Sequence, residues 1–316
     1  MATIILKLEK RIDAELADAL SLYSKDIVSH VKSLINGGNK FRAKLFYNAS
    51  KSLSYNDEAC LITVSSALEI LHRASLIHDD LADKSSTRRG VQTLHDKYGD
   101  TVAIYVPNIL RDYTEKMLTD YPVVQEKLME VYNEICRGQL YEAQISRLNK
   151  TTWEDYEKIV ELKSSGFGRF ALEIADYLTH GKADEDTPRA IAKTGAILFQ
   201  IVDDLEDLLD TSQDISIDIQ NGIKPAPYYF LTQEQKEKQS SMEDLQRVLS
   251  QPDVLKRTYE FAKKHLSKLE NQFRNWLPGN RYRKAIIDDI SIRFRERKEE
   301  LEKLVKDSGE NQHGRI

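Results

Sequence analysis

The sequence predicts an all-α fold, and three observations carry that expectation. Period-two alternation is almost absent, and apolar residues recur at spacings of three and four, as on one face of a helix. Only 13 glycines and 7 prolines occur in 316 residues, a scarcity that turn-rich β proteins rarely show. The periodic segments are separated by short clusters of turn-forming residues.

Taken in order, the periodicity predicts helices over 3–35, 40–54, 59–83, 103–118, 122–147, 153–179, 188–209, 226–231, 242–249, 253–275 and 282–306. Breaks fall at "NGGN" (36–39), "STRRGVQT" (86–93), "DYPVV" (120–124), "HGKADEDTP" (180–188) and "LPGN" (277–280). The first proline is Pro107. The longest stretch without helical pattern is "DTSQDISIDIQNGIKPAP" at 210–227, and loops of that length are often functional. No linker-like or low-complexity tract divides the chain, so one domain is expected over 1–306, with a frayed tail at 307–316. The charge-dense "RFRERKEELEKLVKD" before the tail reads as a solvated helix face.

Composition narrows the function classes. Charged residues make up 31% and aromatics 8%, with a net charge of −5, as in a soluble globular protein without a basic bias toward nucleic acid. Cys60 and Cys136 are the only cysteines and form neither a disulfide framework nor a zinc motif, so a reducing, cytoplasmic location is expected. No uninterrupted apolar run reaches the ~18 residues of a membrane span, and the N-terminus does not read as a signal peptide.

One five-residue word, DDLxD, occurs twice: "IHDDLAD" at 77–83 and "IVDDLED" at 201–207. Each follows a long apolar helical run. On a helix Asp79 and Asp83 are i and i+4, and Asp80 and Asp83 are i and i+3, so all three lie on neighbouring parts of one face. Like charges at that spacing cost roughly 0.2–0.5 kcal/mol per pair. Hard divalent cations remove the repulsion, because carboxylate oxygens are their natural ligands, and Mg²⁺ completes its shell with water and phosphate oxygens. Basic residues stand close by. Arg88 and Arg89 follow the first word, Lys40 and Arg42 open a predicted helix, and His72 precedes Asp79 by seven residues on nearly the same face. Guanidinium pairs suit diphosphate.

These motifs resemble the trans-isoprenyl diphosphate synthases. The resemblance covers roughly residues 30–300 and rests on the order and spacing of "GGNKFR", "LIHDDLADKSSTRRG", "RGQLYEAQ", "KSSG", "FQIVDDLED" and "DIQNGIKPAP". It implies an isoprenoid-synthase-type helical bundle around a deep central cavity, usually a homodimer. It also implies a Mg²⁺-dependent condensation of isopentenyl diphosphate with an allylic diphosphate. By the same resemblance Asp79, Asp83 and Asp203 are the principal Mg²⁺ ligands, and Asp80, Asp204 and Asp207 are auxiliary ligands or support them. Arg88 binds the allylic diphosphate. Arg42, His72 and Arg89 bind the diphosphate of isopentenyl diphosphate. Lys163, Ser164 and Gln200 line the reacting carbons, and Gln139 with Glu142 matches a polar pair of the cavity wall.

The chain departs from the pattern where lysines are usual, at Asn39, Gln213 and Ile223, with Lys40 and Lys224 as neighbouring substitutes. Pro107 and Asn108 stand where a glycine–aspartate pair is common. These departures leave open a weakened catalyst or a regulatory subunit of a heteromeric synthase. Product length is expected to depend on the helix bearing Asp79. Ser75, about 6 Å up that helix, and Ala74 beside it are small where short-chain members often carry aromatics, and Leu71 lies about 12 Å away. A medium- or long-chain all-trans product is therefore expected, with a farnesyl or geranylgeranyl product as the alternative.

Overall fold

The computed structural model describes residues 2–36, 38–147, 151–182, 184–209, 224–237, 241–292 and 294–295. The elements are α1 (Ala2–Ala19), α2 (Lys25–Asn36), α3 (Phe41–Ser52), α4 (Glu58–Asp83), β1 (Thr87–Arg88), β2 (Val91–Gln92), α5 (Leu94–Tyr98), α6 (Asp100–Met117), α7 (Pro122–Ser146), α8 (Trp153–Ser164), α9 (Gly166–His180), α10 (Asp186–Leu209), α11 (Ala226–Tyr229), α12 (Gln233–Glu237), α13 (Met242–Leu249) and α14 (Pro252–Trp276). Residues 281–292 are helical again. The all-α expectation holds. The chain divides into two units, Met1–Asn133 with Phe170–Asp184, and Glu134–Arg169 with Glu185–Ile316. The expected frayed tail lies outside the described residues.

In the first unit α4 is the central element and packs against α1, α2, α3, α5 and α6. Asp57 starts it by accepting a hydrogen bond from the Cys60 N–H at 3.0 Å, and Lys84 ends it in the left-handed region at φ 58°. Ile70, Ala74 and Ile77 of α4 meet Ile12 and Leu16 of α1, Val31 and Ile35 of α2, and Val106 and Leu110 of α6. Among the described residues α4 alone is long and apolar enough to cross a membrane. However, 83% of its apolar window is buried within the protein, as in a core helix. The single helix expected over 3–35 is broken after Ala19, because Ser24 accepts from the Ile27 N–H and opens α2.

In the second unit α10 packs against α8, α11 and α14. The helix expected over 153–179 is interrupted at Ser165, whose hydroxyl donates to the Glu161 carbonyl and whose N–H reaches the Val160 carbonyl. Lys163 and Ser164 thereby occupy the last turn of α8. Its first turn is held by a capping box between Thr152 and Asp155.

Ala74 is fully buried in the cluster just described. This corrects the expectation that it lines an open tunnel: α1, α2 and α6 close over it. Ser75 is also buried and donates to the His72 carbonyl at 2.7 Å, and Leu71 is wholly buried. Ala74→Phe should therefore overpack the core and lower unfolding free energy by about 1–3 kcal/mol, as read by urea denaturation.

Candidate active site

The first aspartate word fills the last turn of α4. The negative end of the helix dipole disfavours carboxylates there, so three of them need external positive charge. Their surroundings differ. Asp79 and Asp83 are half-buried and share a face. Asp80 is buried and accepts a 2.7 Å hydrogen bond from Arg88 Nε. Burial pushes the Asp80 carboxyl up, and the Arg88 charge works against that push. Asp80 thus orients Arg88, while Asp79 and Asp83 are an i,i+4 pair on the more open face.

Arg88 belongs to a two-stranded hairpin within the break expected at 86–93. Thr87 pairs with Gln92 and Arg88 with Val91. Arg89 and Gly90 form the two-residue turn with φ values of 53° and 75°. Both central residues of such a turn need positive φ, which is strained for arginine. The strain fixes where Arg89 leaves the backbone, and its guanidinium lies against Gly38. A Cβ at Gly38 would meet Arg89 Nη1 at 2.2 Å. Gly38 itself has φ 81°.

Next to this turn lies a cluster of cationic side chains. Arg42 Nη1 donates to His72 Nε2 at 3.0 Å, so that nitrogen carries no proton. His72 is buried. Its pKa is held well below the ordinary histidine value, first by burial and then by the charges of Arg42, Arg73, Arg89 and Arg88. His72 is therefore a neutral ring among four guanidinium groups, an arrangement suited to a polyanion.

Lys40, an expected substitute, and Asn39, where a lysine is usual, both make local contacts. Lys40 is 1% exposed and donates to Glu9 of α1 at 3.2 Å. Asn39 accepts from the Phe41 N–H at 3.1 Å and so helps start α3, a role lysine cannot fill.

In the second unit the aspartate word again splits by surroundings. Asp203 is exposed and Asp207 half-buried. Asp204 is buried and accepts from Tyr156 Oη at 2.9 Å, the Ala226 N–H at 2.7 Å and Gln200 Nε2 at 2.9 Å. Burial raises its pKa to about 6, against the lowering effect of these donors. Its oxygens are engaged by α8, α10 and the start of α11, which is the supporting role among those expected for Asp204. Trp153 stacks on Tyr156 at 5.0 Å and meets Tyr229 and Phe261 edge-on, which holds the Tyr156 phenol in place.

The remaining residues form a chain of contacts. Ser164 Oγ donates to Gln200 Oε1 at 3.3 Å. Lys163 is paired with Glu142. Gly138, one turn before Glu142 on α7, makes that pair possible, because a Cβ there would meet Leu162 Cβ at 2.8 Å. Gln139 Oε1 is buried without a hydrogen-bond partner. Lys224 is half-buried, lies 5.1 Å above the Tyr228 ring, and has its pKa lowered by burial. Gln213 and Ile223 lie outside the described residues.

Among the described residues no three His, Cys, Asp or Glu side chains form a ready metal cage. Three functional features escaped the sequence reading. Gly138 was detectable as a glycine inside a helical pattern, and Arg73 as a charge on an apolar face. The Tyr156–Asp204 bond had no local signal.

The polyprenyl synthetase family model matches residues 24–262. The chain belongs to this family. The chain is 26% identical over 240 residues to the nonaprenyl diphosphate synthase of Mycobacterium tuberculosis, covering 73% of the chain and 70% of that relative. Against three further relatives the matched stretch spans 55%, 44% and 58% of their length. Its fold matches the crystal structure of a geranylgeranyl pyrophosphate synthase from Lactobacillus brevis with a TM-score of 0.79 at 22% identity, covering 91% of this chain and 96% of that one. It also matches a polyprenyl synthase from Caulobacter crescentus complexed with calcium and isoprenyl diphosphate, with a TM-score of 0.75 at 19% identity, covering 92% and 97%. The chain is thus a prenyltransferase of all-α fold.

The split within the second word has a measurable consequence. Asp204→Ala leaves the Tyr156 hydroxyl, the Gln200 amide and the Ala226 N–H without their acceptor and should lower stability by at least about 2 kcal/mol. Asp203→Ala, at an exposed position, should change metal-free stability by no more than about 0.5 kcal/mol. Denaturant unfolding in chelator compares them.

Proposed function

We propose that this prenyltransferase condenses isopentenyl diphosphate with an allylic diphosphate, with Mg²⁺ held by Asp79 and Asp83 of the first word and Asp203 and Asp207 of the second. The observation that carries this reading is the shared division of labour in the two words. In each, the middle aspartate is withdrawn into protein contacts, while the first and last stay on the more open face. A purely structural acidic turn has no reason to repeat that split.

Bound Mg²⁺ supplies positive charge that stabilises the departing diphosphate. The chain's residues do the rest. Arg88, oriented by Asp80, and Lys163, oriented by Glu142, bind the allylic diphosphate. Arg42, His72 and Arg89 bind the diphosphate of isopentenyl diphosphate, and Lys224 adds charge beside the loop. The allylic carbon–oxygen bond breaks with its electron pair on the diphosphate. The isopentenyl double bond then forms the new carbon–carbon bond, and a proton is lost to the released diphosphate. Gln200, held by both Ser164 and Asp204, offers a fixed amide dipole to the developing positive charge. Apolar helix faces keep water away from that carbon.

The nonaprenyl relative supports a medium- or long-chain all-trans product, whereas Ala74, closed over by the core, does not bear on length. We place the enzyme in the cytoplasm as a homodimer. Cys60 and Cys136 form no disulfide, which favours a reducing compartment, and sedimentation tests the dimer.

Incubating the purified protein with farnesyl diphosphate, isopentenyl diphosphate and Mg²⁺, followed by product chromatography, tests the activity. Asp79→Ala and Asp203→Ala should each reduce turnover by roughly 10²-fold or more, since each removes a ligand to charge worth several kcal/mol at the leaving group. Full turnover in chelator, or by either variant, contradicts the proposal.

A further inference from the structure

Arg73 follows His72 on α4 and is 5% exposed. Its Nε donates to Glu69 Oε1 at 2.8 Å, and Glu69 is 1% exposed. This pair is incompletely satisfied. Arg73 Nη1 and Glu69 Oε2 are both buried with no hydrogen-bond partner. A buried guanidinium that is only partly bonded is costly. A pair kept for stability alone would be expected to fill its remaining positions, or to be replaced by apolar residues of similar volume.

The other end of the guanidinium points to a reason. A Cβ at Gly38 would lie 2.8 Å from Arg73 Nη2 and 2.2 Å from Arg89 Nη1. Arg73 from α4 and Arg89 from the hairpin turn therefore converge on the same glycine, just ahead of α3. Any side chain at position 38 would displace them. His72, bonded to Arg42, is affected by both charges. Of the nearby cations, Lys40 is turned to Glu9 and Arg88 to Asp80, so Arg73 can contribute where Lys40 does not.

Resting on the function proposed above, we infer that Arg73 is a substrate-binding residue for the diphosphate of isopentenyl diphosphate. It acts beside Arg42 and Arg89, and Gly38 provides the clearance. Glu69 is its positioning partner: it takes Nε and leaves the Nη edge for phosphate oxygens, the fork geometry in which guanidinium binds phosphate.

The test uses two variants. Arg73→Gln/Glu69→Gln removes both charges and leaves no uncompensated buried ion, which keeps the core foldable. Glu69→Gln alone retains the guanidinium. The double variant should raise KM for isopentenyl diphosphate at least tenfold, with a change under threefold in KM for the allylic diphosphate. Glu69→Gln should shift KM for isopentenyl diphosphate by less than threefold. Equal effects in the two variants, or equal shifts in both KM values, would show a structural pair and overturn the inference. Calorimetric binding of inorganic diphosphate separates this inference from the proposed reaction. If wild type forms no prenyl product, the reaction is wrong. The inference then still requires wild type to bind inorganic diphosphate at least tenfold more tightly than the double variant. Equal binding, or none by wild type, overturns it.

Discussion

Six aspartates stand in the last turns of two helices, where the backbone dipole and their neighbours both oppose negative charge. The surrounding structure is organised around that constraint. The protein neutralises part of it internally. Arg88 takes up Asp80, and three donors take up Asp204. The other four aspartates, Asp79, Asp83, Asp203 and Asp207, are half-buried or exposed.

The internal partners also position the catalytic apparatus. The Asp80 bond sets Arg88 at the start of a hairpin whose strained turn aims Arg89 at Gly38. The Asp204 bonds join α8, α10 and the start of α11, so Gln200 and Ser164 are held by the same network as Tyr156 and Ala226. Gly138 lets the last turn of α8 approach α7 and bring Lys163 to Glu142. On the cationic side, burial and four guanidinium groups keep His72 neutral, so it accepts from Arg42 without adding a like charge.

Much of this was legible in the sequence, because the strongest signals are local. The repeated DDLxD word at the end of apolar helices identified the carboxylates, and residue spacing identified the helices. What the sequence concealed depends on tertiary partners. Asp79 and Asp80 are adjacent and chemically identical, and only Arg88 distinguishes them. Lys40 reads as a phosphate ligand until its contact with Glu9 is seen. Ala74 reads as an open tunnel wall until α1, α2 and α6 close over it. Arg73 reads as an irregularity in an apolar helix until Gly38 and Glu69 give it a direction. The breaks at Ser24 and Ser165 were missed because a single hydroxyl ended a helix whose apolar period continued on the other side.

The central claim is that the repeated carboxylates are held apart for a cation and a diphosphate to join. Thermal unfolding tests it without requiring turnover, because a ligand bound only by the folded state raises the melting temperature by mass action. Inorganic diphosphate and Mg²⁺ together should raise the melting temperature of the wild-type protein by more than the sum of either alone. That excess should vanish in Asp79→Ala/Asp203→Ala. An additive response in wild type, or an undiminished excess in the double variant, would contradict the account.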